Sequence, residues 1–193
     1  MIKLNGFKKI NVAVFISGRG SNLKNLIKTA NNPNSKFAIS LIVSNNSKAL
    51  GLKLAKKFKI KKKILNFNNK SIEKSLLFAL TENNIKIICL AGFMKILSKN
   101  FISKFNGKIL NIHPSLLPKY KGLNTHSRVI RNKERFSGCT VHFVNSKLDS
   151  GKIVLQKKVK ILKRDTPRSL SSRILIQEHI LYPKALNKII DSL

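Results

Sequence analysis

The stretch KILNIHPSLLPKY, residues 108–120, places an amide and an imidazole two residues apart at the end of a short apolar run. Pro114 follows at once. Residues two apart on an extended strand share a face. Asn111 and His113 therefore point at one spot. That pair suits a carbonyl whose oxygen gains negative charge in the transition state: Asn111 donates a hydrogen bond and His113 handles a proton. Pro114 removes a ladder donor and ends the strand, which leaves His113 at the rim. A histidine at a strand end is more often structural than catalytic, and it is the neighbouring amide that shifts the balance.

Acidic residues are scarce, so each carries information. Asp149, in NSKLDSG, follows a strand that bears His142. An Asp before Ser-Gly is ordinarily a turn residue. It is equally placed to orient an imidazole or to take up a proton. Glu178 and His179 lie in the last helical stretch, where a surface position is the simpler expectation. A second candidate is SGRGSN, residues 17–22, between an apolar run and a helical pattern. Glycines there let the backbone approach an anion, and free N–H groups at a helix start hold a phosphate. The motif is neither G-x-G-x-x-G nor a P-loop, so nucleotide binding gains no specific support. Such turns are as often plain connections. No Cys/His spacing predicts zinc and no G-x-S-x-G elbow is present, so no metal is expected.

These residues need elements to position them. Apolar runs at 11–17, 37–45, 62–67, 85–93 and 108–114 alternate with helical spacing at 21–32, 49–59, 71–84 and 98–105. Ser21 is the expected N-cap of the first helix. This β-α order predicts an α/β, Rossmann-like, mostly parallel twisted sheet with helices on both faces. The rhythm then breaks. Residues 125–133 read as a helix, 137–145 and 151–161 as strands, and the C-terminal stretch as a long helix kinked or interrupted at Pro183. Strand 137–145 has one distinctive face, Thr140, His142 and Val144. With no repeat and no linker, one domain over 1–193 is expected, and the irregular loop 114–124 is a natural carrier of function.

The chain has 193 residues, of which 42% are hydrophobic, enough for a sizeable core. Lys plus Arg number 39 against 7 Asp plus Glu, a formal charge of +32. Such a charge points to nucleic acid or an acidic membrane surface. However, most of the cations are Lys, spread along the chain beside abundant Asn and Ile, as AT-rich codon usage supplies. Compositional drift is the favoured reading, and a polyanion surface stays open. Either favours anionic substrates. Cys89 and Cys139 are too few for a disulfide framework and read as reduced core thiols. No signal peptide and no membrane-length apolar run is seen, so a cytoplasmic protein is expected.

ISGRGSN, LAGFMKILS, NIHPSLLPKYKGL, VHFV with LDSG, and QEHILYP occur in this order. Together they resemble the glycinamide ribonucleotide branch of the folate-dependent formyltransferases, over nearly the whole chain. The resemblance implies transfer of a formyl group from 10-formyltetrahydrofolate to the amine of glycinamide ribonucleotide in purine synthesis. It implies a catalytic set of Asn111, His113 and Asp149. Gly20, Ser21, Asn22 and Glu178 would meet the ribonucleotide. Met94, Lys95, Ile96, Leu97, Asn111, Asn145, Ser146, Lys147 and Leu148 would line the folate pocket, with Lys70 standing for the family's folate-side arginine. It also implies a ribonucleotide half to about residue 100 and a folate half after it. Three departures are visible: Leu175 stands where the family often has Gln, and Ser146 and Lys147 stand where acidic residues are common. Expected partners are the two small-molecule substrates, with no membrane, no specific nucleic acid and at most a weak homodimer.

Three rivals remain. Methionyl-tRNA formyltransferase would suit the charge but carries a further C-terminal domain. Formyltetrahydrofolate hydrolase carries a further N-terminal one. Neither extra domain is expected from a chain of this length. A basic nucleic-acid-binding protein on a degenerate enzyme fold would have no need of Asn111, His113 and Asp149.

Overall fold

Strand β1 (Ile10–Ile16) sets the architecture by strict alternation. Val12, Val14 and Ile16 face one apolar cluster, while Ala13 and Phe15 face another. A strand with both faces apolar must be covered on both sides, and the computed structural model, which describes residues 9–66 and 71–193, does so. Lys70 lies outside the described residues. Helices α1 (Ser21–Ala30), α2 (Leu52–Lys57), α5 (Thr125–Arg131) and α6 (Pro167–Ile190) supply one cluster; α3 (Ile72–Glu82) and α4 (Lys99–Lys104) supply the other.

The remaining strands are β2 (Phe37–Ser44), β3 (Lys61–Ile64), β4 (Ile87–Leu90), β5 (Lys108–His113), β6 (Phe136–Phe143) and β7 (Ile153–Lys160). The sheet runs β3-β2-β1-β4-β5-β6-β7. The first five are parallel, and β6 and β7 join antiparallel. This is the expected α/β sheet. The chain order reverses beside β1, where β1 neighbours both β2 and β4; a crevice opens there at the carboxyl ends of the strands. The exposed edge β3 is lysine-rich (Lys61, Lys62, Lys63), which blunts strand-to-strand association.

Several elements differ from their sequence patterns in instructive ways. The run 85–93 is a strand only over Ile87–Leu90, and Gly92, at φ 72°, turns the chain out along the cleft. Helix α6 is continuous through Pro183 instead of being interrupted. Proline has no N–H, so the carbonyl of His179, four residues earlier, is left free. The Asn25 side-chain amide of α1 donates to that carbonyl. The helix defect thereby becomes an α1–α6 contact. Tyr182, one residue earlier and fully buried, places its hydroxyl 3.0 Å from the Leu90 carbonyl and 3.1 Å from that of Leu110. It pins α6 to the end of β4 and the middle of β5. The start of α6 is held by a capping box between Thr166 and Ser169. Cys89 and Cys139 are buried free thiols, each pushed up to about 12 by burial.

Candidate active site

The carboxyl ends of β1, β4 and β5 open into a cleft of about 780 Å³. At one end lies the turn into α1. Gly20 adopts φ 75° and is the N-cap, with Ser21 the first helical residue. The expectation that Ser21 caps is therefore corrected. The turn needs a left-handed residue, and a Cβ at Gly20 would stand 2.8 Å from the Cα of Gly51. Gly51 N–H bonds the Gly18 carbonyl at 3.0 Å, so two glycine turns lock together by backbone alone. The N–H groups of the first α1 turn are left facing the cleft. Behind them Asn22 donates to the buried Glu178 carboxylate at 2.7 Å, and the Asn22 Oδ1 is buried without a partner. Burial pushes the Glu178 carboxyl up, opposed by the Asn22 hydrogen bond. Leu175 and Arg19 line the same end.

The other end is an apolar trough. The loop Met94–Leu97 forms one wall and Asn145–Leu148 the other. Met94, Ile96 and Leu148 are large apolar side chains left exposed there. The first wall is tied to β1 through the Ser17 hydroxyl, which accepts from Met94 N–H at 2.7 Å.

Between the two ends sit Asn111, His113 and Asp149. Strand β5 aligns Asn111 with His142 and His113 with Thr140 across the antiparallel pair, so the shared face inferred from the spacing holds. Asp149, in the left-handed conformation at φ 44°, reaches both. Its Oδ2 lies 3.3 Å from His113 Nδ1 and accepts the Gly122 N–H at 2.8 Å. Its Oδ1 lies 3.4 Å from Asn111 Nδ2. His113 Nε2 lies 2.9 Å from the Tyr120 carbonyl. A carbonyl only accepts, so Nε2 carries a proton and Nδ1 is turned to Asp149 and the cleft. His142 is fixed the same way: Nδ1 lies 2.8 Å from the Phe143 carbonyl, leaving Nε2 to accept from Asn111 at 3.2 Å.

Burial pushes the His113 imidazole below its ordinary value, while the Tyr120 carbonyl and the Asp149 charge pull it back up. Burial acts to raise Asp149, but the adjacent His142 ring and the Gly122 N–H, together with the nearness of His113, outweigh it and hold the carboxyl below the usual range. Asp149 is ionised and its Oδ2 faces His113 Nδ1, so a proton arriving at Nδ1 is stabilised by the carboxylate. The amide contact to Asp149 is long, so a competing oxygen in the cleft can take that Asn111 N–H.

All the sequence-derived candidates among the described residues line this one cleft. Lys70 alone lies outside the described set. Sequence reasoning missed the Tyr120 carbonyl and the Gly122 N–H. Both are main-chain groups in the loop 114–124, and no side-chain type announces them. Among the described residues, no cluster of three or more His, Cys, Asp or Glu could hold a metal ion, and no helix is long and apolar enough to cross a membrane.

A sequence profile described as formyl transferase matches residues 10–186. The chain is 43% identical over 176 residues to phosphoribosylglycinamide formyltransferase of Haemophilus influenzae, covering 89% of this chain and 83% of that protein. It is 44% identical over 183 residues to the human trifunctional purine biosynthetic protein adenosine-3, covering 93% of this chain and 18% of that protein. The chain thus spans under a fifth of the length of those larger relatives. The crystal structure of phosphoribosylglycinamide formyltransferase from Anaplasma phagocytophilum superposes with a TM-score of 0.91 at 41% identity, covering 96% of this chain and 88% of that one.

Proposed function

This chain belongs to the formyl transferase family, and from that premise we propose that it moves the formyl group of 10-formyltetrahydrofolate onto the primary amine of glycinamide ribonucleotide in purine biosynthesis. The convergence of Asn111, His113 and Asp149 between an anion-suited helix start and an apolar trough carries this reading. The ribonucleotide phosphate sits on the N–H groups of Gly20, Ser21 and Asn22, with Glu178 reaching its glycinamide or ribose. The trough of Met94, Lys95, Ile96, Leu97, Asn145, Ser146, Lys147 and Leu148 takes the pterin and its linker. Its volume and apolar walls are of the kind that enclose a ligand of that size.

The amine attacks the formyl carbon, and negative charge develops on the formyl oxygen. Asn111 donates to that oxygen. The amine's proton passes to the His113–Asp149 pair, and the resulting imidazolium adds its own hydrogen bond to the oxyanion. Ionised Asp149 stabilises the imidazolium, as a carboxylate does behind a catalytic histidine. Collapse breaks the bond to the folate nitrogen, which takes a proton back, and the formyl group stays on the product amine. One such oxyanion donor is typically worth ~10²–10³-fold in rate. The protein works in this reading as one cytoplasmic domain on small-molecule substrates, without a membrane or specific nucleic-acid partner.

The test incubates purified protein with 10-formyltetrahydrofolate and, separately, glycinamide ribonucleotide, initiator methionyl-tRNA or water, following loss of formyl-folate. Turnover dependent on the ribonucleotide is expected. Turnover with tRNA or water alone overturns the proposal and selects the matching rival.

A further inference from the structure

The loop behind the catalytic pair makes two main-chain contacts of opposite sense: the Tyr120 carbonyl faces His113 Nε2 at 2.9 Å, and the Gly122 N–H donates to Asp149 at 2.8 Å. An acceptor meets the proton carrier and a donor meets the carboxylate. To do this Tyr120 adopts φ 58° and Gly122 φ 75°. Glycine takes that conformation freely, but a bulky aromatic residue does not, so something must hold Tyr120 there.

The holding groups come from its own side chain's surroundings. The Tyr120 hydroxyl donates to Glu134 at 2.9 Å and accepts from the Asn132 amide at 3.0 Å. Lys119 bonds the same Glu134 oxygen at 3.0 Å. The Arg128 guanidinium lies over the Tyr120 ring, 5.3 Å from its centre, and also donates to the Lys121 carbonyl at 2.6 Å. Glu134 is itself fixed, its N–H bonded to the Val129 carbonyl at 3.1 Å. Hydrogen bonds from Lys119 and Tyr120 hold its carboxyl below the ordinary range.

We propose that Glu134 is a positioning residue for the proposed transfer: by clamping the Tyr120 side chain it keeps the Tyr120 carbonyl on His113 Nε2 and so fixes the tautomer that leaves Nδ1 open to the cleft. This rests on the reading of His113 as the proton carrier. An exposed Lys–Glu pair on its own contributes little to stability and nothing to chemistry. The clamp differs because its Tyr120 arm ends, through one carbonyl, on the reactive ring. The wrong histidine tautomer costs a triad enzyme about 10⁴-fold; loosening the clamp by one hydrogen bond is expected to cost about tenfold.

The experiment compares wild type with Glu134→Ala, Tyr120→Phe and Glu134→Gln, the last keeping an acceptor oxygen for the tyrosine. The chain has four histidines, so ¹⁵N imidazole spectra are simple to assign. In wild type the His113 Nε2 carries the proton. In Glu134→Ala and Tyr120→Phe the two ring nitrogens move toward an averaged, mixed-tautomer signal. In these two variants kcat falls about tenfold while both KM values stay within about twofold. Glu134→Gln recovers most of both. An unchanged ring signal in Glu134→Ala and Tyr120→Phe overturns the proposal, and so does a changed signal with kcat intact. If wild type has no ribonucleotide-dependent turnover, the function proposed above fails, and the ring signal alone still decides whether the clamp sets the tautomer.

Discussion

Replacing Gly20 with Ala tests whether the α1 turn is built by backbone packing. The new Cβ would stand 2.8 Å from the Gly51 Cα, a backbone atom that moves only with its loop. That loop is tied back by the Gly51–Gly18 hydrogen bond at 3.0 Å. The residue must also keep φ near 75°. A left-handed conformation costs an L-residue about 1–2 kcal/mol, and overpacking a tight contact about 1–3 kcal/mol. Together these predict about 3 kcal/mol of lost stability. For a chain of this size each kcal/mol lowers Tm by about 2–4 °C, so a drop of roughly 6–12 °C is expected. The control is Gly18→Ala, where nothing lies within 4 Å of the added carbon and φ is not positive. Its Tm should stay within about 2 °C of wild type. Thermal unfolding followed by circular dichroism reads both. Equal Tm values for the two variants would refute the packing argument. The displaced N–H groups should also raise KM for glycinamide ribonucleotide while folate affinity stays near wild type.

Three further outcomes are expected. His113→Ala lowers kcat by at least ~10²-fold with the fold and folate binding retained, because a transition-state contact is lost and not a core contact; a lower Tm with normal turnover per folded molecule would show a structural histidine instead. Glu178→Gln is more stable than wild type near neutral pH. Burial raises this carboxyl in the fold, so its ionisation costs stability above the folded pKa, and the cost vanishes below the unfolded value. The gain in Tm should therefore disappear in acid of about pH 4, and a gain independent of pH would contradict it. If the +32 charge is drift, tRNA and random duplex DNA are both released between low and physiological salt. Ribonucleotide affinity should fall much less, because its phosphate is held by short backbone hydrogen bonds in a partly buried site. Tight tRNA binding that survives salt and discriminates against DNA would contradict the drift reading.

The scarcity of acid makes this charge question sharper. Of the seven carboxylates, six have assigned contacts: Glu73 with Ser98, Glu134 with Tyr120, Asp149 with His113, Asp165 with Arg173, Glu178 with Asn22 and Asp191 with Lys36. Two of these contacts, Glu178 with Asn22 and Asp149 with His113, are buried, whereas Asp191 with Lys36 and Glu73 with Ser98 are exposed.

What the sequence determined by itself is what periodicity and local chemistry control. The two-residue spacing of Asn111 and His113 put them on one face because side chains alternate along any strand. Alternating buried runs and amphipathic runs required a covered parallel sheet, and the glycines of SGRGSN marked a turn into a helix. Element ends were less legible: strand β4 stops at Leu90 because Gly92 turns the chain away, and Gly20 takes the cap expected of Ser21 because only glycine fits against Gly51. Other features came only from tertiary structure. Asn22 meets Glu178 across 156 residues, and the Asn25 amide answers the carbonyl that Pro183 leaves free. Asp149 reaches His113 through a left-handed turn, and the Tyr120 carbonyl selects the ring nitrogen. Periodicity sets the direction of a side chain within its own element. Which groups then meet depends on strand order and on a few loop dihedrals, and a left-handed tyrosine or a main-chain carbonyl has no residue type to announce it.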